Sequence, residues 1–169
     1  TFTATLSNAS AQNVIVNFFF FLSATGSGTD YSASASSVLI TAGNTTGAIT
    51  VTAAQDAFDE NDETVIVDIS SVTNAIESGV QQQTTTITDD DATPTVTFIT
   101  ASQASAGETG TVVATLQLSA VSSLDVDIPF TINGASTATD PADYTITASP
   151  VTIPAGSTST TITVTIAND

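Results

Sequence analysis

The chain has no lysine, arginine, histidine or cysteine, and no methionine or tryptophan. Without basic side chains it cannot neutralise phosphates, which excludes nucleic acid as a partner. An anionic membrane would repel it unless a divalent cation bridged the two. Without cysteine there are no disulfides, thiolate metal sites or thiol nucleophiles. No apolar run is long enough to cross a membrane, so direct membrane insertion is not expected, and no secretory leader is visible. The chain opens on Thr1, which fits a processed product or an interior piece of a longer protein.

What is present is acid and strand-forming residues. There are 17 acidic residues in 169, a formal net charge of −17, and a hydrophobic share of 41%. That apolar content is enough for real cores despite the charge. Val, Ile, Thr and Phe dominate, and Thr and Ser stand between them, which is strand composition with hydroxyls on the polar faces. No carboxylate can find a cationic side chain. Each acidic cluster must stay in water, repel its neighbours or take a cation from outside.

The sequence repeats itself. The segment from Asp30-Tyr31 to Asp56 (DYSASASSVLITAGNTTGAITVTAAQD) matches that from Asp143-Tyr144 to Asp169 (DYTITASPVTIPAGSTSTTITVTIAND). Upstream, Leu6–Phe18 matches Leu118–Phe130. The module is roughly 113 residues long, so the chain holds about one and a half copies. Copy one, 1–93, lacks the strand Pro94–Ala101 that opens copy two; copy two, 94–169, stops two strands early. Two explanations stand: an excerpt from a longer tandem array, or neighbouring chains that supply the missing strands.

Period-two alternation places strands near 1–6, 13–21, 37–41, 46–53, 63–70 and 82–88 in copy one. In copy two they fall near 94–101, 111–118, 124–132, 144–153 and 158–166. Turn signals at Ala42-Gly43-Asn44 and Pro154-Ala155-Gly156 separate them, and no amphipathic helix is evident. The fold class is therefore all-β: tandem immunoglobulin-like antiparallel sandwiches, incomplete at both ends.

Three loops of copy one carry its acid: Asp30, the run Asp56 to Glu63, and Asp89-Asp90-Asp91. If they share one end of the sandwich, nine carboxylates meet there. That many hard oxygen donors suit Ca²⁺ better than Mg²⁺, which demands a tighter octahedron. A single acidic loop is most often simply solvated; three at matching ends are not so easily dismissed. The spacing fits neither an EF-hand nor a glycine-rich β-helix repeat.

Taken together, the paired DY dipeptides, VLITAGNTTGAITVTAAQD, the acidic FDENDETVIVDI and the terminal ITDDDATP resemble the Calx-β repeat. That repeat occurs in sodium–calcium exchangers and many large bacterial surface proteins. The resemblance covers nearly the whole chain. It implies Ca²⁺ ligands at Asp30, Asp56, Glu60, Glu63, Asp89, Asp90 and Asp91 in copy one. In copy two it implies Glu108, Asp143 and Asp169. Where the family often has two adjacent Asp residues, this sequence has Gln55-Asp56 and Asn168-Asp169.

The strand near 13–21 departs from its counterpart. Val126, Ile128, Phe130 and Ile132 alternate with polar residues, whereas Val14, Val16, Phe18 and Phe20 alternate with Ile15, Asn17, Phe19 and Phe21. Ile15, Phe19 and Phe21 then form an outward apolar strip, which marks a contact surface for a neighbouring module or an identical chain. Tyr31 and Tyr144 read as half-buried packing residues at strand starts.

The function expected is that of a non-catalytic, Ca²⁺-stiffened module of a long extracellular protein, a bacterial adhesin or surface fibre. A glycan or surface ligand would be met by other domains. The alternatives are a Ca²⁺-sensing regulatory module, as in exchangers, and a filament subunit built by strand exchange. Paired carboxylates such as Asp59 and Glu63 could serve a glycosidase. Yet the chain has no Trp and no His, and no insertion forms a cleft.

Overall fold

The computed structural model describes residues 1–22, 24, 30–100 and 107–168. Among the described residues it is all-β, with fourteen strands in antiparallel sheets. Two compact units form. The first comprises Thr1–Asp56 and Asn61–Asp89; the second comprises Ala57–Glu60 and Asp90–Asp169. The repeat spacing puts a boundary at 93/94, whereas the units divide at 89/90 and the second also takes in 57–60.

In the first unit the strands are β1 (Phe2–Thr5), β2 (Val14–Leu22), β3 (Tyr31–Ala33), β4 (Ser37–Ile40), β5 (Thr46–Ile49), β6 (Val51–Ala53), β7 (Glu63–Thr73) and β8 (Gln82–Ile87). One layer has the order β4-β2-β7-β8; the other consists of the pairs β1-β5 and β3-β6. Alternation along β2 is held through a bulge. Asn17 pairs with Ser71 and Phe18 with Ile69, so β7 carries one extra residue there. Val14 and Val16 are buried, and Phe18 packs on the same cluster as Ile40. A second cluster joins Phe2, Tyr31, Ile49, Val65 and Val67. Each such side chain contributes about 1.5–3 kcal/mol by leaving water.

The second unit has β9 (Val96–Phe98), β10 (Gly110–Leu118), β11 (Val126–Ile128), β12 (Tyr144–Ile146), β13 (Val151–Ile153) and β14 (Ser159–Ile166). Its layers are β12-β14-β10-β9 and β11-β13, with Leu116, Val151 and Ile162 in the core.

The repeat extends to single hydrogen bonds. Leu6 N–H donates to the Thr45 carbonyl (2.8 Å) as Leu118 does to Thr158 (2.8 Å). Thr50 N–H donates to Ser34 Oγ and Thr163 N–H to Thr147 Oγ1, both at 2.9 Å. Gly43 and Gly156, at φ 85° and 75°, turn the chain between corresponding strands in a conformation L side chains avoid.

Several strands differ from the alternation pattern. The stretch 46–53 breaks at Thr50 into β5 and β6, because Ser34 takes the Thr50 N–H. The stretch 144–153 is two strands in different layers. Pro150, which cannot donate to a ladder, lies between them. β11 stops at Ile128, before Pro129, and leaves Ile132 exposed. β3, a separate strand here, is invisible to alternation because it spans only three residues. The last residue of the expected strand 94–101 lies outside the described residues.

Gly47 on β5 sits against β4: a Cβ there would come within 2.7 Å of Val38 Cγ2. Gly47→Ala should therefore destabilise the first unit by about 1–3 kcal/mol. Ile49→Ala should cost about 2–5 kcal/mol. Phe19→Ser, on the outer face, should cost less, about 0.5–1.5 kcal/mol, the scale of one aromatic contact. Urea denaturation of the three variants measures the ranking.

Candidate metal centre

In the first unit the acidic residues stand at strand ends. Asp30 immediately precedes β3, and its carbonyl accepts the Ala54 N–H at 2.8 Å. This holds it beside the end of β6, three residues before Asp56. Glu63 opens β7 and pairs in register with Ile87, at the end of β8, which places Asp89 just beyond. The two strand pairs share this end, because Tyr31 and Val65 belong to one core cluster. Asp30, Asp56, Glu63 and Asp89 therefore emerge from one end of the first unit. Asp30 is 9% exposed, Glu63 and Asp89 are half-buried, and Asp56 is exposed.

Asp62 was not among the ligands the repeat implies. Its Oδ1 accepts the Asp89 N–H at 3.0 Å and ties the β7 start to the β8 end. Its signal was only membership of the acidic run.

The second unit holds its acid at two ends. Asp59, Glu60, Asp90 and Asp91 belong to this unit. Asp59 is 9% exposed, and its Oδ2 accepts the hydroxyl of Ser122, itself 1% exposed, at 2.8 Å. Ser123 N–H donates to the Asp59 carbonyl at 3.1 Å. Asp59 is thus a structural hydrogen-bond acceptor, a role the sequence did not single out. At the opposite end, Glu108 precedes β10 and Asp143 precedes β12. Gly110 and Tyr144 both pair with Ile166, which brings these starts to the end of β14. The Asp143 carbonyl accepts the Ala167 N–H (2.9 Å), repeating the Asp30–Ala54 bond. The Asp143 carboxylate accepts the Thr139 N–H at 2.7 Å. Asp169 lies outside the described residues.

The donor chemistry fits a hard cation, since every candidate ligand is a carboxylate. Side-chain positions are more open than the backbone layout. Among the described residues no group of three or more acidic side chains stands close enough to hold a metal ion.

The apolar strip of the first unit is uncovered. Phe19 and Phe21 are 53% and 48% exposed, and their rings meet edge-on at 4.6 Å. Ile15, 40% exposed, pairs with Leu39, 52% exposed. Asp68 pairs with Phe19 on the neighbouring strand.

Antiparallel sandwiches repeated in tandem, with acid gathered at strand ends, define an immunoglobulin-like module protein. The Calx-beta domain matches residues 4–92 and 89–169, and the chain belongs to that family. No curated protein matches the sequence. Among solved structures it is similar to the crystal structure of CBD12 from CALX1.2, at 16% identity and a TM-score of 0.44 over 96% of this chain. The chain spans 65% of the length of that structure. It is similar also to the calcium binding domain CBD12 of CALX1.1, at 16% identity and a TM-score of 0.44, covering 99% of this chain and 69% of that one.

Ser122→Ala removes the donor to a carboxylate that is nine-tenths buried. It should cost about 1–3 kcal/mol, and Ser122→Thr, which keeps the hydroxyl, should recover part of it. Thermal denaturation of the two variants makes the comparison.

Proposed function

We propose that the chain is a non-catalytic Ca²⁺-binding structural module of a long, repetitive extracellular protein, an adhesin or fibre of a bacterial surface. One observation carries this reading: Asp30, Asp56, Glu63 and Asp89 emerge from one end of the first unit of a Calx-beta chain that has no cationic side chain. Without an ion these carboxylates repel one another and hold the loops apart. Ca²⁺ takes six to eight oxygens in flexible geometry and draws the loops together. Asp89-Asp90-Asp91 also links the first unit covalently to the second. An ion held at this end stiffens the loops of the first unit.

Extracellular Ca²⁺ modules bind at about 0.1–1 mM. At about 100 times the dissociation constant, one ion stabilises a fold by about 2.7 kcal/mol, a large part of the roughly 5–15 kcal/mol a domain has. Chelation should lower the melting temperature by on the order of 10 °C. Asp30→Asn combined with Glu63→Gln should remove the calorimetric Ca²⁺ signal and most of that shift. A melting temperature indifferent to both Ca²⁺ and chelator would overturn the reading.

The strip of Ile15, Phe19 and Phe21 is the proposed contact with a neighbouring module or an identical chain. Like charge opposes association at low ionic strength, so contact should strengthen with salt or Ca²⁺. Phe19→Ser with Phe21→Ser should abolish the salt-dependent association seen by sedimentation velocity. Equal association by the variant would exclude the strip.

A further inference from the structure

Of the asparagines in the chain, only Asn133 is followed by glycine. Asn133-Gly134 lies between β11 and β12 of the second unit, in a stretch, 131–143, whose residues are all exposed. By the repeat spacing its counterpart in the first unit is Phe21, still inside β2, so the turn is private to the second unit.

The turn is tight. Ser136 N–H donates to the Asn133 carbonyl at 2.9 Å, which closes a four-residue β-turn. Within it the Ala135 N–H donates to Asn133 Oδ1, also at 2.9 Å. The side-chain amide is thereby folded back over the main chain that follows it. Among the described residues neither the Gly134 N–H nor Asn133 Nδ2 has a hydrogen-bond partner. Gly134 has no Cβ to crowd its nitrogen, and nothing lies within 4 Å of where one would stand.

Other asparagines are held differently. Nδ2 of Asn17 donates to Ser71 Oγ (2.9 Å), that of Asn44 to Thr41 Oγ1 (2.7 Å) and that of Asn74 to the Asn13 carbonyl (2.8 Å). The nitrogen that follows Asn17 donates to the Ser36 carbonyl. The residue that follows Asn13 is Val14, β-branched and locked in β2. At Asn133 alone an unhindered, unbonded nitrogen stands next to an amide whose oxygen already holds a donor.

We propose that Asn133 is a site of spontaneous deamidation through a cyclic imide. The Gly134 nitrogen gives its proton to hydroxide and bonds to Asn133 Cγ. The Cγ=Oδ1 electron pair moves onto Oδ1, where the Ala135 N–H meets the developing charge, as donors do in an oxyanion hole. The pair then returns, the Cγ–Nδ2 bond breaks, and Nδ2 takes a proton from water and leaves as ammonia. Water next opens the five-membered imide. Cleavage of the new bond from the Gly134 nitrogen to Cγ leaves aspartate. Cleavage of the original main-chain bond leaves isoaspartate, with the chain routed through Cβ and Cγ. The sum is one water consumed and one ammonia released, with no oxidation. Either product adds a carboxylate to a chain that has no cationic side chain to answer it. The aspartate form keeps an oxygen for the Ala135 N–H, whereas isoaspartate lengthens the main chain inside the turn. The inference is independent of Ca²⁺.

The test incubates the full chain at mildly alkaline pH, withdraws samples over days and digests them with an endoprotease that cuts before aspartate. Mass spectrometry then reads the fragment Asp127–Thr139. It should take up the mass change of deamidation severalfold faster than fragments that hold the other asparagines, and faster still as pH is raised. The protease also separates the products, since it cuts at a new aspartate and not at an isoaspartate. Gly134→Ala, which fits the open space, should slow the change severalfold, and Asn133→Gln should abolish it; circular dichroism checks both folds. The free peptide 127–139 lacks the enforced turn and should react no faster than the folded chain. Modification spread evenly over the asparagines, an unchanged rate in a folded Gly134→Ala, or a peptide severalfold faster than the folded chain would each overturn the proposal.

Discussion

A chain that has carboxylates and no cationic side chain can settle an acidic group only with water, a neutral donor or a cation from outside. Neutral donors are used throughout. Asp59 takes the Ser122 hydroxyl, Asp62 the Asp89 N–H, and Asp143 both the N–H and the hydroxyl of Thr139. Asp125 accepts the Ala155 N–H at 2.8 Å, and Asp127 accepts the Thr152 hydroxyl at 2.6 Å. Hydrogen bonds to ionised acceptors are among the stronger ones a protein makes. Serine, threonine and the main chain thus do what lysine and arginine do elsewhere, and the hydroxyl-rich composition follows. The strand-end acids of the first unit are where an outside cation would extend the same logic.

The architecture was legible because two signals agreed. Alternation along Val14-Ile15-Val16-Asn17-Phe18-Phe19 gave the inner and outer faces of β2 correctly, even through the bulge opposite Phe18. The repeat supplied topology, since corresponding residues make corresponding bonds: Asp30 with Ala54, and Asp143 with Ala167. What alternation could not see was where a strand changes partners. Thr50 and Pro150 interrupt runs that look continuous, one because a serine hydroxyl takes its N–H, the other because it has none to give.

The strand ends were legible in sequence, and the partners of single acids were not. Strand ends follow from strand boundaries, so the places of Asp30, Asp56, Glu63 and Asp89 beside the ends of β3, β6, β7 and β8 could be anticipated from sequence. The fate of Asp59 could not. It lies three residues from Asp56 in a run of acids, and composition gives no reason to separate them. What distinguishes Asp59 is a buried hydroxyl more than sixty residues away in sequence, and no local pattern encodes such a pairing. The repeat held a clue, since the Ser10 and Ser122 segments align. A clue of that kind becomes readable only when the bonds of both serines are known.

The missing positive charge bears on the strand edges as well. Natural sheets commonly guard an exposed edge with lysine, which is costly to bury against another strand. This chain has no lysine, and β1, β8 and β9 carry no charge of either sign. These three edges are protected only at a distance, by the net charge of −17 that makes copies repel one another. Such protection is conditional. A Debye length of about 10 Å at 0.1 M salt already confines it to close approach, and bound divalent cations would reduce the charge itself. A local guard blocks pairing under all conditions, whereas a global one yields when ions are supplied. A strand edge left bare of charge in such a chain is therefore open to docking wherever salt and divalent ions are plentiful, and closed to it where they are scarce.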